Sequence, residues 1–314
     1  MKKILVTGGA GFIGSHLCER LLKEGHEVIC LDNLVTGDRK NIKPFLQKKT
    51  FRFVEADTRE LDGKNIPSVD SIDEIYDLAS PASVTYVSDH PVESATINSI
   101  GTNNLLRLAQ AFHAKFLFAS SSEAYGDPAV HPQPESYWGN VNPVGVRSGY
   151  DEGKRFGEAL TMAYHREYRI DTRIIRIFNT YGPNSRADDS RIIPRFITQA
   201  LRGTPLTVHG DGQQTRSFCY VSDMVAGFIK LMKSNVSDPV NIGNPSEYTV
   251  LEIAKKIIAA TGSTSEIVFV NRLPDDPSKR KPDIRRAIEY LGWKPEVNFD
   301  EGLQKTIDYF KHSI

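Results

Sequence analysis

The sequence predicts an α/β chain: a doubly wound parallel sheet with a smaller, less regular C-terminal substrate-binding lobe. Three observations carry this. Short β-branched runs alternate with longer amphipathic stretches through the first 178 residues. A glycine-rich turn joins the first run to the first amphipathic stretch. The length, 314 residues, suits roughly two domains of about 150 residues each.

Each element has its own signal. Residues 3–7 (KILVT) are apolar, end in glycines and read as a buried strand. Residues 13–24 carry apolar side chains at helical spacing and stop at Gly25, a helix C-cap. Strands follow at 26–32 (HEVICLD), 51–56 and 74–79. A long helix is expected over 91–113, a strand over 115–119, a second long helix over 148–168 and a strand over 172–178 (TRIIRIF). Such alternation implies right-handed crossovers and a parallel sheet. Residues 179–191 are polar, contain Pro183 and read as a loop. A helix is expected over 191–202, ending at Gly203, then a turn-rich stretch over 204–216. Helices are expected over 222–233, 249–261 and near 300–312, with a charged loop over 275–281 (DDPSKRK). The expected division is 1–178 for the first domain, with 211–243 returning to it, and 179–314 mainly for the second lobe.

Composition excludes several classes. Lys plus Arg and Asp plus Glu number 39 each, so no basic excess exists to hold a nucleic-acid backbone. Apolar content of 39% and charged content of 25% argue against disorder. No apolar run approaches a membrane span, and the run 4–6 is too short for a signal peptide. Cys18, Cys30 and Cys219 are few, far apart and odd in number, which suits buried thiols in a reducing cytoplasm. The eight histidines have no metal-ligand spacing, so no metal is expected.

Gly8, Gly11 and Gly14 follow a strand and open a helix. In that context the helix N-terminus, with Phe12 and Ile13 in its first turn, presents N–H groups to a pyrophosphate. Asp32 closes the second strand 18 residues after Gly14, with Asn33 beside it. Its carboxylate can take both ribose hydroxyls and would repel a 2′-phosphate, which favours NAD over NADP. These features mark a Rossmann-type NAD site. Asp57 reads equally as an adenine contact or a solvated loop acid. Tyr150 and Lys154 lie four apart on one helix face. An ammonium beside a phenol stabilises phenolate, so Tyr150 is expected to have a lowered pKa and act as a base. Ser120, Ser121, Ser122 and Glu123 end the fifth strand, where ligands of open α/β sheets bind. The serines read equally as turn chemistry, and Glu123 as a surface acid.

The segments GGAGFIGSH, YDEGK and RIFNTYGP resemble the extended short-chain dehydrogenase/reductase superfamily, whose members modify nucleotide sugars. Within it, SSEAYGDP, YWGNVNP, SGYDEGKR, GDGQQTRSFCYVSDM, VNIGNP and DDPSKRKPDI resemble the UDP-glucuronate decarboxylases (UDP-xylose synthases), over nearly the whole chain. The resemblance implies a UDP-sugar substrate and a catalytic NAD. It places Ser121 at the sugar 4-hydroxyl, Tyr150 as base, and Lys154 as its partner and a nicotinamide-ribose contact. It also places Ser122, Glu123 and Arg280 around the glucuronate carboxylate, and Asn179, Arg191 and Arg216 on the UDP moiety. Guanidinium forks suit diphosphate oxygens. It further implies a homodimer built on helices 91–113 and 148–168. One segment departs from the family pattern P-A-S-P-x-x-Y: here Tyr86 stands one place early and Val87 fills its slot. That loop resembles sugar 4-epimerases, so UDP-hexose 4-epimerisation is the first rival. A 4,6-dehydratase typically carries Asp where this chain has Ser122. An NAD-sensing protein usually lacks the Tyr–Lys pair.

Overall fold

The structure is a computed structural model that describes residues 1–64, 66–67, 69–272 and 277–314. Six strands come from the first part of the chain: β1 (Lys3–Thr7), β2 (Glu27–Asp32), β3 (Phe51–Glu55), β4 (Glu74–Asp77), β5 (Lys115–Ser121) and β6 (Thr172–Ile177). A seventh, Val240–Ile242, pairs with β6 at the edge. The order is Val240–Ile242, β6, β5, β4, β1, β2, β3, and every pairing is parallel. Strand order reverses beside β1, and the crevice at the carboxyl ends of β1 and β4 is where open α/β sheets bind ligands.

Alternation along each strand feeds two cores. Ile4, Val6, Val28 and Cys30 face one side, with Leu17 and Leu21 of the helix Phe12–Lys23 and Phe228 of the helix Val221–Lys233. Leu5, Ile29, Ile75, Phe116 and Phe118 face the other, against Leu105 and Leu106 of the helix Thr102–Phe112.

Several expected elements change at their edges. The helix expected over 91–113 is Pro91–Thr96, a widened π-turn Ile97–Gly101, and Thr102–Phe112. β5 runs two residues past its expected end because Ser120 and Ser121 still pair with Arg176 and Ile177 of β6. The expected loop 179–191 contains the short strand Thr180–Tyr181, paired with Cys219–Tyr220. The turn-rich stretch 204–216 holds Leu206–His209, which pairs with Ile267–Val270, and most of Thr215–Ser217. Of the charged loop 275–281, residues 275 and 276 lie outside the described residues. Lys279–Arg280 is a strand, parallel to Thr215–Ser217. That pairing puts Arg280 in register with Arg216. No helix among the described residues is long and apolar enough to cross a membrane.

Candidate active site

The glycine turn is shaped by what it excludes. Gly8 has φ of 65°, and a Cβ there would meet the Leu78 carbonyl oxygen at 2.7 Å. A Cβ on Gly14 would lie 2.1 Å from the Gly8 carbonyl oxygen. The loop therefore closes onto the start of the helix Phe12–Lys23 with no room for side chains. The Ser15 N–H donates to the Gly11 carbonyl at 3.0 Å. The N–H groups of Phe12, Ile13 and Gly14 precede that first rung, and a helix start leaves such groups for a ligand.

Asp32 is buried at the end of β2. It accepts from the Ala10 N–H at 3.0 Å and the Leu34 N–H at 2.8 Å. Burial raises its pKa, and these backbone donors oppose the rise. Asn33 donates to Asp57 at 2.9 Å. Asp57 caps the turn Thr58–Glu60 and forms two bonds with the Arg59 guanidinium, at 3.0 and 2.6 Å. Burial would raise Asp57, yet Arg59 holds it below the usual carboxylate range. It is an ion-paired, partly exposed acid whose neighbours Ala56 and Thr58 line the cleft. The glycine cradle and the inward carboxylate of Asp32 fit the phosphates and ribose of an NAD-type dinucleotide.

The other singled-out residues do converge. Gly8, Gly11, Phe12, Ile13, Gly14, Asp32, Asn33, Ser121, Ser122, Glu123, Tyr150, Lys154, Asn179, Arg191, Arg216 and Arg280 all line one cavity of about 540 Å³. The sheet's carboxyl ends form its floor. Strand pairing with β6 carries Ser121 there, and the tight turn Ser122–Tyr125 then aims Glu123 inward.

Tyr150 and Lys154 project from the helix Ser148–Tyr168, both buried. Lys154 donates to the Ala119 carbonyl at 2.8 Å, and its ammonium lies 5.6 Å from the Tyr150 ring centre. Burial pulls Lys154 down to about 8, against Asp77 and Glu158. Burial pushes the Tyr150 phenol up to about 12, with the Ser121 hydroxyl and Arg191 pulling the other way. The phenol is therefore raised where a lowering was expected: loss of water around it outweighs the Ser121 hydroxyl and Arg191, which favour its charged form.

Glu123 and Arg280, distant in sequence, meet. Arg280 lies 3.0 Å from Glu123 and donates to Ser122 at 2.9 Å and to the Gly126 carbonyl at 2.9 Å. Arg147 takes the other Glu123 oxygen at 2.9 Å. Burial would raise Glu123, but Arg280, Arg147 and Arg216 hold it down at about 2. It is an ionised acid within a cationic cluster. Sequence reasoning missed Arg147. Its only signal is position, since it precedes the helix Ser148–Tyr168 by one residue and so stands three residues before Tyr150.

Arg191 forks onto Asp189 at 2.9 Å and lies 5.9 Å from the Phe12 ring centre. Asn179 donates to the Ser217 carbonyl at 3.4 Å, and Arg216 to the Thr215 carbonyl at 2.9 Å. In the departing loop, Val87 is buried within the short helix Val84–Asp89. Tyr86 instead donates to Glu93 at 2.7 Å and stacks on His90.

Residues 5–306 match the family model described as GDP-mannose 4,6 dehydratase. The chain is 51% identical to UDP-glucuronic acid decarboxylase 3 of Arabidopsis thaliana, over 98% of this chain and 89% of the relative. It is 48% identical to UDP-glucuronic acid decarboxylase 1 of Xenopus tropicalis, over 100% of this chain and 73% of the relative. Its fold is similar to that of UDP-glucuronic acid 4-epimerase from Bacillus cereus, solved with UDP-glucuronic acid and NAD. The TM-score is 0.89 and the identity 31%, over 99% of this chain and all of the other. The epimerase shares the architecture at lower identity, while the decarboxylases share half the residues along the whole chain. The chain belongs to the UDP-glucuronic acid decarboxylase family of extended short-chain dehydrogenases/reductases.

Proposed function

We propose that this chain converts UDP-glucuronate to UDP-xylose and CO₂, with NAD as a bound, recycled cofactor. The observation that carries the reading is the cationic cluster beside Tyr150. One carboxylate, Glu123, is held by Arg280 and Arg147, with Arg216 in register beside Arg280. The excess of positive charge suits a sugar that brings its own carboxylate and a diphosphate.

The N–H groups of Phe12, Ile13 and Gly14 would hold the cofactor's pyrophosphate, and Asp32 its ribose. When bound, NAD supplies the reversible two-electron oxidation at C4. Ser121 orients the 4-hydroxyl, and Tyr150 takes its proton and later returns it. Lys154 holds the nicotinamide ribose. Arg191, Arg216 and Asn179 grip the diphosphate and nucleoside. A C4 ketone is β to the C6 carboxylate, so the C5–C6 bond breaks with its electron pair delocalised as an enolate. One solvent proton then forms the C5–H bond, and charge balances. Glu123 acts after oxidation, near C5 and C6. The three free, buried cysteines suit a reducing cytoplasm.

The test is incubation of the purified protein with UDP-glucuronate. Release of CO₂ and a UDP-pentose is expected. A product of unchanged mass with inverted C4 would overturn the reading in favour of epimerisation.

A further inference from the structure

Behind the cluster lies a second recess, of about 540 Å³. Its inner wall includes Glu123, Arg147 and Asp151. Its rim includes Asp127, Asn142 and Arg272, all exposed to solvent. Glu123 and Arg147 also line the substrate cleft. The pair is therefore a shared wall, wet on one side and facing substrate on the other.

Mass balance requires something of that wall. Tyr150 removes one proton at C4 and gives it back, so it contributes none overall. Decarboxylation turns a carboxylate into neutral CO₂ and a C–H bond, consuming one proton from solvent per turnover. In the binding mode proposed above, the substrate occupies the front of the cleft. From these facts we propose that the recess is the entry path for the C5 proton, and that Arg147 positions Glu123 as its inner gate. This inference rests on the decarboxylase reading.

The geometry gives Arg147 two attachments. Its guanidinium binds one Glu123 oxygen at 2.9 Å; Arg280 binds the other at 3.0 Å and reaches the first at 3.3 Å. Its carbonyl accepts from the Tyr150 N–H at 3.0 Å and the Asp151 N–H at 3.1 Å. Arg147 thus ties the carboxylate to the first turn of the helix that carries the base. Asp151 flanks it at 3.9 Å, and with Asp127 and Asn142 gives the recess polar groups along which waters can bridge. Arg147 is a positioning residue: it holds Glu123 and meets no reacting atom in the scheme.

The experiment is a single turnover with enzyme in excess, following CO₂ and UDP-pentose separately. In the unmutated protein the two should appear together. In Arg147→Met, whatever the change in the rate of CO₂ release, UDP-pentose should lag CO₂ by at least about tenfold. Added buffer acid should shorten that lag, and Arg147→Lys should largely abolish it. Asn142→Trp narrows the recess from its rim without touching Glu123, and should produce the same lag should Arg147→Met fail to fold. Product in step with CO₂ in both Arg147→Met and Asn142→Trp would overturn the proposal, as would a lag indifferent to buffer acid. Absence of CO₂ from the unmutated protein would instead defeat the decarboxylase reading itself.

Discussion

At the scale of single residues, environment decides chemistry more than identity does. Burial raises the Tyr150 phenol, so the proton transfer proposed for it needs its phenolate stabilised in the loaded cleft. Tyr150→Phe should therefore cost about 10²–10⁴-fold in turnover while NAD affinity, read by titration calorimetry, stays near normal. Lys154 carries a stability cost with a definite sign. Its folded pKa, about 8, is below its ordinary 10.5. Between those values the unfolded chain binds more protons, so the unmutated protein gains stability as pH rises from about 8 to about 10.5. Lys154→Met should lack that gain. The mutant should be the more stable of the two at pH 7, by up to roughly 3 kcal/mol, and the gap should shrink to about 1 kcal/mol at pH 10. Urea denaturation of both proteins at the two pH values measures this. Glu123 is held ionised by its arginines, so it is not itself a ready proton donor. In the proposed scheme its role comes after oxidation. Glu123→Ala should still reduce bound NAD when given UDP-glucuronate, and the NADH absorbance should persist because later steps slow. A mutant with no NADH signal and no substrate binding would reassign Glu123 to ground-state binding.

At the scale of elements, the helix start after β1 is closed by backbone packed on backbone. A methyl group on Gly14 would collide with the backbone of Gly8, which cannot move aside as a flexible side chain could. Gly14→Ala should weaken NAD binding by at least about tenfold, roughly 1.4 kcal/mol. It should also cost about 1–3 kcal/mol of stability. Cofactor titration and thermal melting read the two effects separately. This joint was legible in the sequence because a strand, a glycine spacing and an acid at the next strand end reinforce one another. The central strands were legible for a similar reason: residues such as Ile4, Leu5 and Val6 are buried on both faces, so the whole run is apolar. The smaller lobe was not. Thr215–Ser217 and Lys279–Arg280 are too short to show a period of two, and their charged side chains read as loop. Yet their pairing brings Arg216 beside Arg280, and with it the cationic side of the cleft. Arg147 escaped notice because a lone arginine is most often a surface ion pair. Only the fold reveals Glu123 as its partner.

At the scale of the whole molecule, the same two helices that line the cleft leave apolar surface outside it. The segment Pro91–Thr96 packs along Ser148–Tyr168 so closely that a Cβ on Gly149 would meet the Pro91 carbonyl oxygen at 2.6 Å. Val92 is 75% exposed and Phe156 51%, on these two helices, and Ile100, in the π-turn that follows Thr96, is 49% exposed. Scattered apolar residues are ordinary on a surface, but a cluster on adjacent elements favours a covering partner. A second copy of the same pair would bury it symmetrically, four helices in all, with each subunit covering what the other exposes. The catalytic helix would then be braced on its outer side, and dimerisation would stiffen the base Tyr150 without contributing a residue to the cleft. Light scattering should give twice the chain mass for the unmutated protein. Phe156→Glu should place a charge at the centre of the contact and give a monomer that still binds NAD. Its turnover should fall as the dimer dissociates, in step with the mass across a dilution series. A monomeric mass for the unmutated protein at micromolar concentration would reject the arrangement. A dimer unaffected by Phe156→Glu would place the contact on another face.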